Sequence, residues 1–211
     1  MQVRELAVRD SYEFTPVSYP DARGVFVAPY QEEPFLRAVG YPLRLAQSNH
    51  SQSRRNTLRG LHFADVPPGQ AKYVYCARGA VLDVVVDLRV GSPTFGAWDA
   101  VHLDPVTFRA LYLPEGVGHA YLALEDDTVF SYICSSGYNP AAERGVRPTD
   151  PALGLPWPAD LRPLMSDRDR AAPTLAEARA AGLLPRYDEC VAWYEHLRAT
   201  AAAMDVATGA T

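Results

Sequence analysis

Between Arg44 and Ser135 short apolar runs alternate with turn residues, and the runs are too short to be helices. Four read most clearly as strands: AKYVYCA from Ala71 to Ala77, AVLDVVVDLR from Ala80 to Arg89, RALYLP from Arg109 to Pro114, and TVFSYIC from Thr128 to Cys134. In the second, Leu82, Val84, Val86 and Leu88 share a face that the pattern predicts to be buried, and Val81, Asp83, Val85 and Asp87 share the other. Polar Asp83 and Asp87 on this odd face argue against a strand covered by helices on both sides. Turn signals at Arg78-Gly79, Gly91 to Pro93, Asp104-Pro105 and Pro114 to Gly118 recur at the spacing of a β-sandwich or barrel.

The period then changes. Thr174 to Leu184 opens with Thr174 three residues before Glu177, the sequence form of a capping box. Asp188 to Met204 is Ala-rich and carries Val191, Tyr194, Leu197 and Ala201 at helical spacing, so two late helices are predicted. The stretch from Tyr138 to Pro173 between them and the strands is rich in Pro and Asp. It exceeds the usual loop length of roughly 12–15 residues, which predicts an irregular but packed segment.

At 211 residues the chain has room for one substantial core. Its 48% hydrophobic content, with 14 Gly and 18 Pro, argues against disorder and for a globular chain with many turns. A formal charge of -5 gives no reason to expect nonspecific nucleic-acid binding, yet leaves room for an anionic ligand held by a few local cations. Cys76, Cys134 and Cys190 are widely spaced and lack a C-x-x-C pair, which predicts neither a disulfide framework nor a thiolate metal site. No signal-peptide-like apolar stretch opens the sequence and no membrane span follows, so a cytoplasmic location is expected.

Three polar clusters interrupt the strands: Arg59 and His62 in LRGLHF, Gln70 and Lys72 in GQAKYVYC, and His119 in PEGVGHAY. There is no H-x-H or H-E-x-x-H pair to bind a metal, no G-x-S-x-G nucleophile elbow, and no glycine-rich nucleotide loop. What remains is histidine, carboxylates able to orient it, tyrosines and local cations, a set suited to proton abstraction and return without a cofactor.

These clusters lie within a longer ordered pattern: DARGVF from Asp21, QSNHS from Gln47, LRGLHF from Leu58, PPGQAKYVYCARGAVLDVVVDLRVGSPTFG from Pro67, YLPEGVGHAY from Tyr112, SYICSSGYNP from Ser131, DPALGLPWP from Asp150 and LMSDRDRAAPTL from Leu164. Over roughly residues 20–175 the chain resembles the dTDP-4-keto-6-deoxyhexose 3,5-epimerase family, also called dTDP-4-dehydrorhamnose 3,5-epimerases. The resemblance implies a mainly β, cupin-like double-stranded β-helix (jelly-roll) barrel over residues 1–173, with a C-terminal helical extension over 174–204. It implies a cofactor-free enzyme, with no metal, acting on a dTDP-4-keto-6-deoxy sugar as a homodimer, without nucleic-acid or membrane partners.

Residue by residue, the resemblance matches His62 to the general base, Asp169 to its orienting carboxylate and Tyr132 to the acid on the opposite sugar face. It matches Lys72 and His119 to polar groups around the ketone, Arg59 to a substrate and diphosphate contact, Gln47 and Asn49 to further nucleotide-sugar contacts, and Tyr138 to an aromatic residue at the nucleotide end. Arg23 and Phe26 match residues given to the partner subunit by exchange of amino-terminal strands. The chain departs from the pattern at Phe26-Val27-Ala28, where a Glu often follows the Phe by two, and at His119-Ala120-Tyr121, where HGF or HAF is common. It looks like the actinomycete branch that modifies deoxysugars for natural products. Inversion of both sugar carbons 3 and 5 is the leading expectation. The alternatives are inversion at one of them, a 3,4-ketoisomerase, and a noncatalytic sugar-nucleotide binding protein.

Overall fold

The computed structural model describes residues 1–208. In chain order the elements are β1 (Gln2–Glu5), β2 (Tyr12–Thr15), β3 (Ser18–Asp21), β4 (Gly24–Val27), α1 (Glu32–Val39), β5 (Gln47–Ser53), β6 (Leu58–Ala64), β7 (Lys72–Arg78), β8 (Val81–Val86), β9 (Trp98–Leu103), β10 (Ala110–Leu113), β11 (Gly118–Ala123), β12 (Thr128–Cys134), β13 (Glu143–Gly145), α2 (Asp167–Ala171), α3 (Leu175–Ala180) and α4 (Tyr187–Thr208). A six-stranded sheet runs β1-β2-β10-β7-β12-β5 and a five-stranded sheet runs β13-β6-β11-β8-β9. Strands β3 and β4 form a separate hairpin. The architecture is mainly β with C-terminal helices, as expected, but neither sheet closes into a barrel: β5 and β13 each end a sheet with one paired edge.

Alternation along the strands assembles three apolar layers. Val74 and Cys76 of β7, Val81 and Val85 of β8, Leu111 and Leu113 of β10, and Tyr121 and Phe130 form the core between the sheets. The other face of the six-stranded sheet presents Phe14, Tyr73 and Tyr112 to Phe35 and Val39 of α1 and to Cys190 and Tyr194 of α4. The other face of the five-stranded sheet packs Leu61, Phe63, Val84 and Val86 against Val146, Leu153, Ala178 of α3 and Leu184. Both faces of β8 are therefore covered, one by the facing sheet and the other by α3 and the segments beside it, rather than by helices on both sides, and the polar Asp83 and Asp87 are accommodated within this packing. Each is fully buried and internally paired: Asp83 with His119, and Asp87 with Arg89, Ser92 and Thr94.

The helices form where the pattern placed them. Thr174 and Glu177 complete the capping box that starts α3. In α4 the buried seam is Cys190 and Tyr194, flanked by Trp193, Leu197 and Ala201, while Val191, expected on the same face, is half-buried outside this cluster. Helix α1, unmarked by any sequence signal named above, turns Phe35 and Val39 inward four residues apart and ends on left-handed Gly40. The segment from Tyr138 to Pro173 is packed, contributing β13, a short 3-10 turn at Pro151–Leu153 and α2. Among the described residues no helix is long and apolar enough to cross a membrane.

Candidate active site

An irregular rung in the five-stranded sheet brings two reactive side chains to one surface. Residues three apart on a strand point to opposite faces. Here His62 pairs with His119 and Arg59 with Tyr121, so Gly60 and Leu61 of β6 stand opposite the single residue Ala120 of β11. This bulge adds one residue and restores Arg59 and His62 to the same side. Only glycine fits its apex: Gly60 has φ +119°, and a Cβ there would lie 2.5 Å from the His119 carbonyl oxygen and 2.6 Å from the Ala120 Cα.

Arg59, His62, Lys72, His119, Tyr121, Phe130 and Tyr132 line one cleft between the sheets. Arg59 and His62 on β6 and His119 and Tyr121 on β11 form one wall. Lys72 on β7 and Phe130 and Tyr132 on β12 form the other. His62 and Tyr132 thus enter from facing sheets.

His62 Nε2 lies 2.7 Å from Asp169 Oδ1. A neutral imidazole that donates Nε2–H to this carboxylate carries its lone pair on Nδ1. Asp169 is buried on α2, where Ser166 caps the helix by accepting from the Asp169 N–H. Burial alone would raise its pKa, but the hydrogen bond and charge of His62, the Ser166 hydroxyl and the Gly60 N–H outweigh it and hold the carboxyl below its ordinary value. A second pair joins His119 Nε2 to Asp83 Oδ2 at 2.7 Å. There burial dominates and pushes the Asp83 carboxyl up, against the opposing charge and hydrogen bond of His119.

Burial also raises the Tyr132 phenol, with Cys134 and Tyr121 adding to the shift and Arg59 opposing it. Burial lowers the Lys72 ammonium, while the negative charge of Glu143 works to restore it. Among the described residues no three His, Cys, Asp or Glu side chains converge as a metal site.

The remaining expected residues divide into a rim and an outlying arm. Gln47 donates to Asn49 Oδ1 at 2.8 Å, Asn49 donates to Cys134 Sγ at 3.6 Å, and the Tyr138 N–H donates to Gln47 Oε1 at 2.9 Å. This row follows the edge strand β5 beside Tyr132, with the Tyr138 ring exposed. Arg23 and Phe26 are not in the cleft of their own chain. Arg23 pairs with Asp21 at 2.6 Å on the β3–β4 hairpin, and Phe26 is 68% exposed. The structure adds Tyr121, Phe130, Asp83 and Glu143 to the site's surroundings. An apolar alternation conceals the first two, and Asp83 could have been found by asking which buried group would hold His119.

The family model for dTDP-4-dehydrorhamnose 3,5-epimerase matches residues 5–177. A dTDP-4-dehydrorhamnose 3-epimerase of Streptomyces niveus is 54% identical over 192 residues, covering 91% of this chain and 92% of the relative. A dTDP-4-dehydrorhamnose 3,5-epimerase of Mycolicibacterium smegmatis is 52% identical over 198 residues, covering 94% and 98%. Among solved structures, an epimerase of Mycobacterium tuberculosis superposes with a TM-score of 0.91 at 46% identity, covering 94% of this chain and all of the other. The chain belongs to the dTDP-4-dehydrorhamnose 3,5-epimerase family.

Proposed function

We propose that the protein epimerises a dTDP-4-keto-6-deoxyhexose at carbons 3 and 5 through enolate intermediates, using its own side chains as acid and base. The observation that carries this reading is the placement of His62, with a carboxylate on its Nε2, and Tyr132 on facing walls of one cleft. The ketone at carbon 4 acidifies the hydrogens on both neighbouring carbons. His62 Nδ1 takes such a proton, and ionised Asp169 stabilises the imidazolium that results. Negative charge collects on the ketone oxygen, where the Lys72 ammonium stabilises it, and His119 donates a further hydrogen bond from Nδ1 when Asp83, its carboxyl pushed up by burial, holds its proton against Nε2. Tyr132, kept protonated by burial, returns a proton to the opposite face and inverts the centre. Solvent then reprotonates Tyr132 and removes the proton from His62, so no redox change occurs.

Arg59 holds the diphosphate, and Gln47, Asn49 and Tyr138 line the nucleotide side. We read the two-sheet fold as a cupin-like jelly roll spanning 1–173, with 174–204 as a buttress of the same domain. The exposed Tyr19, Val25 and Phe26 on a hairpin outside both sheets support a homodimer in which Arg23 and Phe26 complete the neighbour's site. Mixing Arg23→Ala and His62→Ala proteins under verified subunit exchange restores activity if Arg23 acts across the interface; no recovery rejects that assignment.

The test of the reaction is turnover in heavy water without added metal or nicotinamide, followed by NMR of the sugar. Deuterium at carbons 3 and 5 is the expected result, and no label at either carbon despite dTDP-sugar binding overturns the proposal. Single-centre inversion is the second reading, favoured by the Streptomyces niveus relative, described as a 3-epimerase. It predicts an inverted configuration at carbon 3 alone.

A further inference from the structure

Tyr121 is a wall residue whose hydroxyl the reaction above does not use. Its oxygen lies 2.6 Å from Ser51 Oγ and 3.3 Å from Ser53 Oγ. Ser53 Oγ in turn accepts from Arg59 Nε at 3.3 Å. Tyr121 and Arg59 belong to the five-stranded sheet, whereas Ser51 and Ser53 lie on the inner face of β5, the edge of the six-stranded sheet. The chain of hydrogen bonds therefore ties the two sheets together at one end of the cleft.

One end has a fixed direction. A guanidinium can only donate, so Ser53 must accept from Arg59. The hydroxyl hydrogens complete the series in either sense, from Ser53 to Tyr121 to Ser51 or from Ser51 to Tyr121 to Ser53. The arginine charge polarises the series. With Nε engaged, Arg59 is left with its two terminal nitrogens, for which no hydrogen-bond or ion-pair acceptor is found among the described residues. That end-on pair matches two oxygens of a phosphate.

We propose that Tyr121 is a positioning residue for the nucleoside diphosphate: its hydroxyl braces Ser53, and through Ser53 it aims Arg59. The proposal rests on the reading of Arg59 as the diphosphate contact. Tyr121 does not touch the reacting carbons in this role, so its loss acts on binding and spares the chemical step.

Tyr121→Phe keeps the ring and its contact with Phe130, whose centroid is 4.3 Å away. The expected result is a Kd for dTDP and a KM for dTDP-sugar each raised about tenfold, with kcat within about twofold and its pH profile unchanged. Ser53→Ala should reproduce this split. In an Arg59→Ala background the Tyr121→Phe change should have no further effect on dTDP binding, because the group it aims is gone. An unchanged dTDP Kd in Tyr121→Phe overturns the proposal, as does an equal loss with and without Arg59. A fall in kcat at constant Kd overturns it in favour of contact with the sugar. If dTDP binds Arg59→Ala as tightly as wild type, the diphosphate reading of Arg59 fails, and the assignment of Tyr121 fails with it.

Discussion

Two histidines sit on one rung of the five-stranded sheet, His62 opposite His119, and each holds a buried aspartate through Nε2 at 2.7 Å. The geometry is the same and the electrostatics are opposite. Asp169 is served by His62, by Ser166 and by the Gly60 N–H, and stays ionised below the ordinary carboxylate range. Asp83 has His119 and no partner for Oδ1 among the described residues, and burial drives it up. Depth of burial and the number of further donors around a carboxylate, rather than its distance to a histidine, decide whether the pair can carry a full charge. Of the two pairs, the first is the better suited to stabilise an imidazolium, which supports the proposal that His62 is the base.

Replacing each aspartate by asparagine breaks this comparison most directly. Asp169→Asn should lower hydrogen exchange at the substrate by about 10³-fold, since the wrong tautomer and an unstabilised imidazolium both disable the base. Asp83→Asn should cost about tenfold, because His119 is asked only to donate. Stability separates them again. A carboxylate with a depressed folded pKa contributes stability above its ordinary pKa and loses it as pH falls through the folded value. One with a raised folded pKa contributes stability below its ordinary value and loses it as pH rises through the folded one. At pH 7, then, urea unfolding should find Asp169→Asn destabilised and Asp83→Asn neutral or stabilised. Equal activity losses in the two variants would sink the distinction.

The next largest effect comes from the bulge that sets the two histidines level. Gly60→Ala places a methyl inside the His119 carbonyl at a backbone angle that disfavours any side chain. Neither contact can yield without moving β11. We expect a loss of about 3 kcal/mol in stability and about 10²-fold in turnover of the folded fraction, because Arg59 and His62 cease to share a surface. Wild-type kinetics in folded Gly60→Ala protein would show that the bulge does not organise the site.

Much of the site was legible as residue types, and its geometry was not. LRGLHF announced chemistry, but strand alternation would have put Arg59 and His62 on opposite faces; the bulge that unites them depends on Ala120, far along the chain. Asp83 could be read only as a polar position on one strand face, because a strand pattern does not reveal what covers it or which group pairs with it. The core on the odd face of β8 and the layer built by α3 and Val146 on its even face come from distant segments. The capping box of α3 was correct because it is local chemistry. Closure of a barrel was not, since which edges pair is a property of the whole sheet.

The weakest effect concerns a third buried carboxylate, one with no histidine at all. Glu115, in the turn between β10 and β11, is 3% exposed and faces the packing surface of α4. Ser135 lies 3.3 Å from its Oε1, and Oε2 has no partner among the described residues; the Trp193 indole is near enough to oppose the shift but outside hydrogen-bond geometry. Burial pushes its pKa up to about 7. Such a group contributes its full stability below the ordinary value of 4.5 and loses it as pH rises through about 7. Where Asp83 has one histidine to offset burial, Glu115 has a hydroxyl, so its ionisation should weaken the seat of α4. Glu115→Gln removes the titration while keeping the shape. Its stability relative to wild type should be nearly flat below pH 4.5 and rise toward pH 8 by at most roughly 3 kcal/mol, the equivalent of the shift. Activity of the folded protein should not change, because Glu115 lies outside the cleft. Urea unfolding of both proteins at pH 4.5 and pH 8 measures this, and a difference that stays constant with pH would show that the carboxyl is not held protonated by the fold.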